Sequence, residues 1–525
     1  MTDGGAAVWR TGGQRVAVIA AFLSASLPVR LSALQCPDGS PPPCRTPAAR
    51  ASTSPPPNSV AVLYFDNLSR DTADAYLADG LTEELIVRLG RIERLRIKSR
   101  AAVQRYRRPG VDPVAAGRQL GVGHLVTGTV RRAGDRLRVT VELVRLPGGD
   151  RLWGERYERS GVDAWAIQED IARGVGTAVA GRLAPSERAR LGRQPTASPD
   201  AYDHYLRGNY HLAQRSPSAL ARAVAEYTAA VRIDARFSGA LARIGYAYAL
   251  FLDWDLDYAG LPPDSLLFRG LDASDRALTQ HPSASEAWMA RGYLLAFRHP
   301  QTFDGATAAF ERAITLDSAN AEAYHQYGWI LAQLARDSAA AATYLRTLAV
   351  EPDRAITLRD LAMLRMMQRR FAEARRWLDS AIVVSPGFFV AYADRAKVHL
   401  QLGELAQARA DAETALRLSP LPSRAWGETA VALVEAREGN SRAALARVEP
   451  LARDALERPH ASVVGDAYRV AGALATAGDH ERALTIVERV RPRGARLWFF
   501  LRGPELDPIR AHPRFQRVVE ESRPR

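Results

Sequence analysis

Proline recurs at a fixed interval in the second half of this chain: Pro352, Pro386 and Pro420 are evenly spaced, and each closes an apolar run (LAVEP, IVVSP and LRLSP). Other columns keep the same period. Gly328, Ala362 and Ala396 form one, Ala340, Ala374 and Ala408 a second, and Tyr324, Leu358 and Tyr392 a bulky third that Trp426 extends by one period. Two small residues per unit let a pair of helices approach closely, and a proline that cannot continue a helix marks the turn into the next unit. A period of this length with these columns predicts stacked helical hairpins. Such a solenoid presents an extended binding surface rather than an enclosed reaction site.

These columns resemble the tetratricopeptide repeat family, in which a bulky residue, a small residue four on, two alanines in the second helix and a terminal proline recur. The resemblance is close over residues 321–422. One unit upstream, Trp288, Gly292, Ala306 and Ala313 fit if two residues are inserted in the turn HPQTFDG. The stretches around Gly208 and Gly245 read as first helices of two more units, followed by an insertion from Asp253 to Asp264. Beyond Ala430 the spacing drifts, while helical patterning continues to about residue 490. The resemblance implies that the first helix of each unit lines a concave face. The inward positions, and the candidate partner-binding groove, are then Met289, Tyr293, His325, Trp329, Arg359, Met363, Met366, Lys397 and Leu400. Methionine is flexible and polarisable and suits an adaptable surface; filling gaps in the helix core is the competing explanation.

A chain of 525 residues with 47% hydrophobic and 25% charged content is folded and too long for one core. Its net charge of +13 comes from arginine, since Lys98 and Lys397 are the only lysines. The arginines interleave with Asp and Glu, as in FAEARRWLDS, which describes solvated helix faces and gives no reason to expect nucleic acid as a partner. At the amino terminus Arg10 and Arg15 precede the apolar run Val16–Val29, the order of a signal peptide or a short membrane anchor. Residues 1–35 are assigned to that segment and 36–58 to a Pro-rich linker. The linker holds the only cysteines, Cys36 and Cys44, on either side of PDGSPPP. Export to an oxidising compartment favours a local disulfide between them. The expected location is extracytoplasmic, on the periplasmic side, anchored or secreted, with the membrane reached through the amino-terminal segment.

Residues 59–186 follow a different pattern. SVAVLYFDNLS is a buried strand, DAYLADGLTEELIVRLGRI an amphipathic helix, LRIKSR a short strand and DPVAAGRQLG a helix stopped by Gly121. Three strands with turns at AGD and PGGD come next, then a long helix DAWAIQEDIARGVGTAVAGRL. The expected fold class is therefore an α/β domain (βαβα-βββ-α) followed by an all-α tetratricopeptide-type solenoid, α+β and multidomain as a whole. The solenoid is placed at 187–490 and a carboxy-terminal helical cap at 491–525. The stretches SVAVLYFDNLSRDTADAYLADGLTEELIVRLGRI, LGVGHLVTGTVRRAGDRLRVTVELV and LWGERYER are similar to the TolB-like amino-terminal domain of bacteria. That domain is typically joined to tetratricopeptide repeats behind a kinase, cyclase or DNA-binding domain. With only the short stretch ending at Arg15 ahead of the apolar run, no such effector is expected here.

The search for chemistry is short. No phosphate-binding glycine loop ending in Lys-Ser or Lys-Thr, no G-x-S-x-G elbow and no kinase signature is present. His204 and His211 with nearby Asp200 and Asp203 read as polar positions on a repeat helix rather than a metal site, and Gly80 as a packing or turn residue. No catalytic residue, cofactor or metal is assigned. The expectation is a non-catalytic scaffold that binds protein or peptide partners. The alternatives are a ligand- or glycan-sensing protein that uses the α/β domain, and an enzyme of unrecognised type. Alkaline phosphatase fused after residue 60 should be active and Cys36 and Cys44 should resist alkylation until reduced; activity confined to a cytoplasmic reporter, or free thiols in the exported chain, would contradict export.

Overall fold

The structure, a computed structural model, describes residues 55–524 apart from 105, 108–110, 135, 161–163, 193, 255, 301, 421–422, 458–463 and 491–493. The amino-terminal apolar run, most of the Pro-rich stretch and the Cys36–Cys44 pair lie outside the described residues. Among the described residues no helix is long and apolar enough to cross a membrane.

A small mixed sheet comes first. Its strands are β1 (Ser59–Val62), β2 (Asp66–Asn67), β3 (Arg96–Ile97), β4 (His124–Ala133), β5 (Arg136–Arg145) and β6 (Asp150–Ser160), in the order β3-β1-β4-β5-β6 with β2 also on β4. β1 runs parallel to β3 and β4, and its four residues are all buried, as a strand covered on both faces requires. The β4–β5–β6 meander is antiparallel; Leu137, Val139, Val141 and Leu143 alternate inward on β5 while the residues between them face out. The helices are α1 (Ala75–Gly90), α2 (Arg100–Gln104), α3 (Pro113–Leu120), α4 (Ala164–Ala180) and α5 (Pro185–Leu191). Leu77, Leu81, Leu85 and Leu89 recur every fourth residue on α1 and are fully buried. Asp112 caps α3 by accepting from the Val114 amide, and Gly121 ends it in the left-handed region at φ 62°. The polar stretch 184–200, whose composition suggests a connector, instead contains α5. Leu191 is buried there and Glu187 pairs with Arg94 at 2.9 Å, so the segment has its own anchors.

Eight helical hairpins follow among the described residues: α6 (Pro199–Ala213) with α7 (Pro217–Ile233), α8 (Ser238–Asp253) with α9 (Pro263–Gln280), α10 (Ser285–Arg298) with α11 (Ala306–Leu316), α12 (Ala321–Gln333) with α13 (Asp337–Val350), α14 (Ala355–Met367) with α15 (Phe371–Val384), α16 (Phe389–Gln401) with α17 (Leu405–Leu418), α18 (Arg424–Arg437) with α19 (Ser441–Glu457), and α20 (Val464–Thr476) with α21 (His480–Arg489). Pro352, Pro386 and Pro420 each follow the end of a second helix by two residues. The turns inside three successive hairpins place Ala335, Arg369 and Gly403 in the left-handed region, at the same spacing as the prolines. The chain ends in α22 (Ala495–Leu501), a 3-10 turn over Pro504–Ile509, and α23 (Pro513–Ser522).

The sheet unit and the first hairpins share one hydrophobic core. Leu206 of α6 lies against Gly80 of α1, where an added Cβ would stand 3.1 Å from its methyl group, and Tyr76 donates to Asp203 across the same contact. Arg88 stacks 3.3 Å over the Trp165 ring and bonds Gln168, which accepts from Tyr202 of α6. A second core begins at Trp329 and runs to Val518.

The small-residue column has a direct packing cause. A Cβ at Gly328 would sit 2.7 Å from the ring of Tyr344. One and two periods on, Leu378 and Ala412 occupy the place of Tyr344, and the column itself carries Ala362 and Ala396. The smallest residue thus stands opposite the largest. Gly328→Ala should cost about 1–3 kcal/mol through overpacking, more than the gain of about 1 kcal/mol in helix propensity, while Gly328→Ala with Tyr344→Leu should recover most of it; urea unfolding of the two variants checks this.

Candidate functional site

The nine inward positions all sit on first helices and all are buried. Two of them, Trp329 and Lys397, are covered by the chain's own carboxy-terminal segment. α22 contains Leu497, Trp498, Phe499, Phe500 and Leu501 in immediate succession, and so is apolar around most of its circumference. A helix of that kind needs neighbours on every side, and the inner face of a solenoid supplies them. Residues 495–509 accordingly lie against the first helices α12 and α20, and α23 packs on α21 and α22 at the end of the stack.

The segment keeps register with the repeats. The Ala495 amide donates to the Pro300 carbonyl at 2.8 Å, and Arg496 binds Asp253 at 2.9 Å. Trp329 on α12 meets Phe499 edge-on, with ring centroids 5.2 Å apart, and lies 5.9 Å from Phe500, which stacks on Tyr468 of α20 at 4.7 Å. Arg502 makes two bonds to Asp337 at 2.7 and 3.1 Å. Arg369 reaches Asp507 at 2.7 Å and the Arg502 carbonyl at 3.0 Å. Glu505 lies 3.3 Å from Lys397 on α16, in space left by Gly472, whose Cβ would stand 2.5 Å from the Glu505 side chain.

Lys397 is the centre of this polar array. Its ammonium also lies 3.3 Å from Asp394, donates to the Tyr468 hydroxyl at 3.1 Å and sits 5.3 Å from that ring. Burial opposes its charge, but Tyr468, Glu505 and Asp394 together outweigh burial and hold the lysine above its ordinary pKa. Arg359 donates to Asp394 at 2.7 Å and to Asp360 at 2.9 Å. Burial raises Asp360, whereas Arg359 and Lys397 overcome burial at Asp394 and lower it. His325 bonds Thr357 at 3.0 Å; burial, reinforced by Arg354, pushes its imidazole down to about 3, so it is neutral at physiological pH.

The sequence-derived positions therefore divide by contact. Trp329 and Lys397 touch the segment directly. Tyr293 acts on it through Asp253, the carboxylate that holds Arg496. Arg359 and His325 are tied into the ionic row beneath. Met289, Met363, Met366 and Leu400 lie within the two cores. Sequence reasoning did not find Asp394, Tyr468, Phe499, Phe500 or Glu505. The run LWFFL, unusually aromatic for a polar tail, was the available signal.

A second concavity, of about 670 Å³, opens where the sheet meets α6, lined by Arg70, Asp71, Tyr76, Arg131, Arg132 and Arg207 among others. Its charges are partly spent on each other: Arg132 lies 3.6 Å from Asp74, and Arg207 2.9 Å from Asp203.

The sequence profile of the tetratricopeptide repeat matches residues 328–387 and 393–438, on the hairpins that carry the Arg359–Lys397 row. The chain carries tetratricopeptide repeats there. It is 30% identical over 217 residues to a protein of Rhizobium meliloti (strain 1021) named "Putative adenylate cyclase 3"; the match takes in 40% of this chain and 37% of that protein, so the chain spans little more than a third of that relative's length. Among solved structures, it is similar to pilF of Pseudomonas aeruginosa (16% identity, 41% of this chain and 92% of that one, TM-score 0.33) and to a thermophilic tetratricopeptide repeat protein of Thermus thermophilus (17% identity, 38% and 99%, TM-score 0.33).

Removing the Lys397 charge would leave two buried carboxylates short of a cation. Lys397→Met should lower stability by about 3–5 kcal/mol, and adding Glu505→Gln should restore part of that loss. Urea unfolding of the four-member cycle reads the coupling; strictly additive losses would mean that the two groups do not interact.

Proposed function

We propose that the chain is a non-catalytic scaffold that binds protein or peptide segments along the inner face of its tetratricopeptide solenoid. The observation that carries this reading is the segment 495–507, held along that face by an aromatic cluster, a buried cation and flanking ion pairs. A groove that holds one largely helical stretch of polypeptide against its repeats has the chemistry to hold another. The displaced pKa values in the groove belong to groups already paired with one another, which supports a recognition role for these charges rather than proton transfer.

The proposal has two further parts. Residues 59–186 are read as a TolB-like domain that closes the first turn of the solenoid, supported by the sequence stretches quoted above and by the Tyr76–Asp203 and Gly80–Leu206 contacts. The protein is read as working outside the cytoplasm, exported or anchored by residues 1–35; the order of Arg10, Arg15 and the apolar run supports this.

Crosslinking with mass spectrometry in the native host tests the scaffold. Partner peptides should be joined to residues 199–490; a map confined to residues 59–186 would favour the sensing alternative. The likeness to a protein named as an adenylate cyclase supplies the second test. The purified chain supplied with ATP and divalent metal should form no cyclic AMP above a boiled control, and sustained turnover would overturn the non-catalytic reading.

A further inference from the structure

Residues 495–507 are tethered on both sides by the chain. They follow α21 in the chain and lead into α23, which packs on both α21 and α22, buries Phe515 and Val518, and holds Glu488 of α21 through Arg514 at 2.6 Å. Once the α22–α23 contact gives way, the segment can leave the inner face while Arg514 keeps α23 docked on α21.

Its seat is well matched in apolar shape and pairs most of its charges, but it leaves a few buried polar atoms without a hydrogen bond. Among the described residues, both oxygens of the buried Glu505 carboxylate accept no hydrogen bond, although Lys397 lies 3.3 Å away. The Nε atoms of Arg469 and Arg496, also buried at this seat, donate to nothing among those residues. Buried polar atoms without partners disfavour the state that contains them. The apolar side has the opposite quality, with Phe500 held between Trp329 and Tyr468.

We propose that residues 495–507 are an internal ligand of the solenoid, occupying the groove in place of an external segment of the same chemistry. This rests on the scaffold reading above and specifies its partner: a helical segment with a basic residue at its start, two adjacent aromatics and a carboxylate five residues after the second. In this chain those features are Arg496, Phe499, Phe500 and Glu505. The aromatics of the partner fill the Trp329–Tyr468 slot, and its carboxylate meets Lys397. When the internal segment leaves, Lys397 loses Glu505 and Arg369 loses Asp507, while Asp253 loses Arg496 and Asp337 loses Arg502, so the vacated groove presents both signs of charge and selects a segment that carries the same pattern. Because the internal segment is tethered, its high effective concentration sets the threshold that an external partner must exceed.

The probe is a fluorescent peptide of residues 494–510 added to the full chain. Phe499→Ala with Phe500→Ala loosens the internal copy and leaves the groove wall untouched. This variant, with helicity checked by circular dichroism, should bind the peptide at least about tenfold more tightly than the wild type, the change expected when the open fraction rises from about a tenth to nearly all. Adding Lys397→Met should abolish the gain. A folded variant that binds no better than the wild type overturns the proposal.

Hydrogen exchange on the wild type gives a test that needs no variant. Amides of 495–509 should exchange faster than those of α16 and α20, and excess peptide should raise their rate further. Exchange of 495–509 only together with α16 and α20, unmoved by peptide, identifies the segment as permanent core and overturns the proposal. That outcome leaves the scaffold reading standing, because crosslinks from residues 199–490 to a partner are measured separately.

Discussion

An α-helical solenoid stacks its units edge to edge, and the first helix of every unit faces an open channel. In this chain that channel cannot stay open to water without exposing Trp329 and Tyr468. Residues 495–509 satisfy the constraint. They touch the second and third hairpins through Arg496 and Ala495, the fourth through Phe499 and Phe500, and the later ones through Asp507 and Glu505. One short segment thus ties together the second to the sixth hairpins and the eighth, adding to the direct bonds Tyr246–Glu322 and Lys397–Tyr468 between hairpins two apart. At the other end α1 does the corresponding work, with Gly80 against Leu206 and Tyr76 against Asp203.

Covering the channel has an electrostatic cost that the sequence meets internally. Arg359, Lys397, Asp360, Asp394 and Glu505 are all nearly excluded from water. Isolated charges at such depth would be strongly disfavoured, so each is set beside an opposite charge within hydrogen-bond or ion-pair distance. The arginine-rich composition is spent the same way along the whole stack. Arg395 spans Asp379 and Asp411, and Arg447 spans Glu428 and Glu435, so the net charge of +13 does not concentrate into one basic face there.

Much of the solenoid was legible because its signals are local. Proline two residues past a helix, and a small residue where two helices touch, act within one hairpin, so the repeat period shows directly in the sequence. The left-handed turns repeat with the same period at Ala335, Arg369 and Gly403 but leave no shared residue type, because neighbouring contacts hold Ala and Arg in a conformation that only Gly adopts freely. The polarity of 184–200 suggests a connector; α5 forms there because Glu187 and Leu191 find partners on other elements, which composition does not reveal. That Trp329 and Lys397 stand on first helices was readable. Their neighbours were not: Lys397 meets Glu505 from far away in the chain, and nothing local to either residue announces the other.

The sequence by itself determined the central hairpins, their period and the first helices on which Trp329, Arg359, Met363 and Lys397 stand. These follow from propensities and periodicities acting over a few residues. In residues 59–186, by contrast, the expected single first strand is split into β1 and β2, and α2 (Arg100–Gln104) was not foreseen. Only the tertiary structure decided what those first helices would touch. The curvature that brings α12 and α20 to opposite sides of one channel sums small rotations over many hairpins, and LWFFL enters that channel because its walls bury an all-round apolar helix on several sides at once. Local sequence sets which residues point inward, while long-range packing sets what they bind.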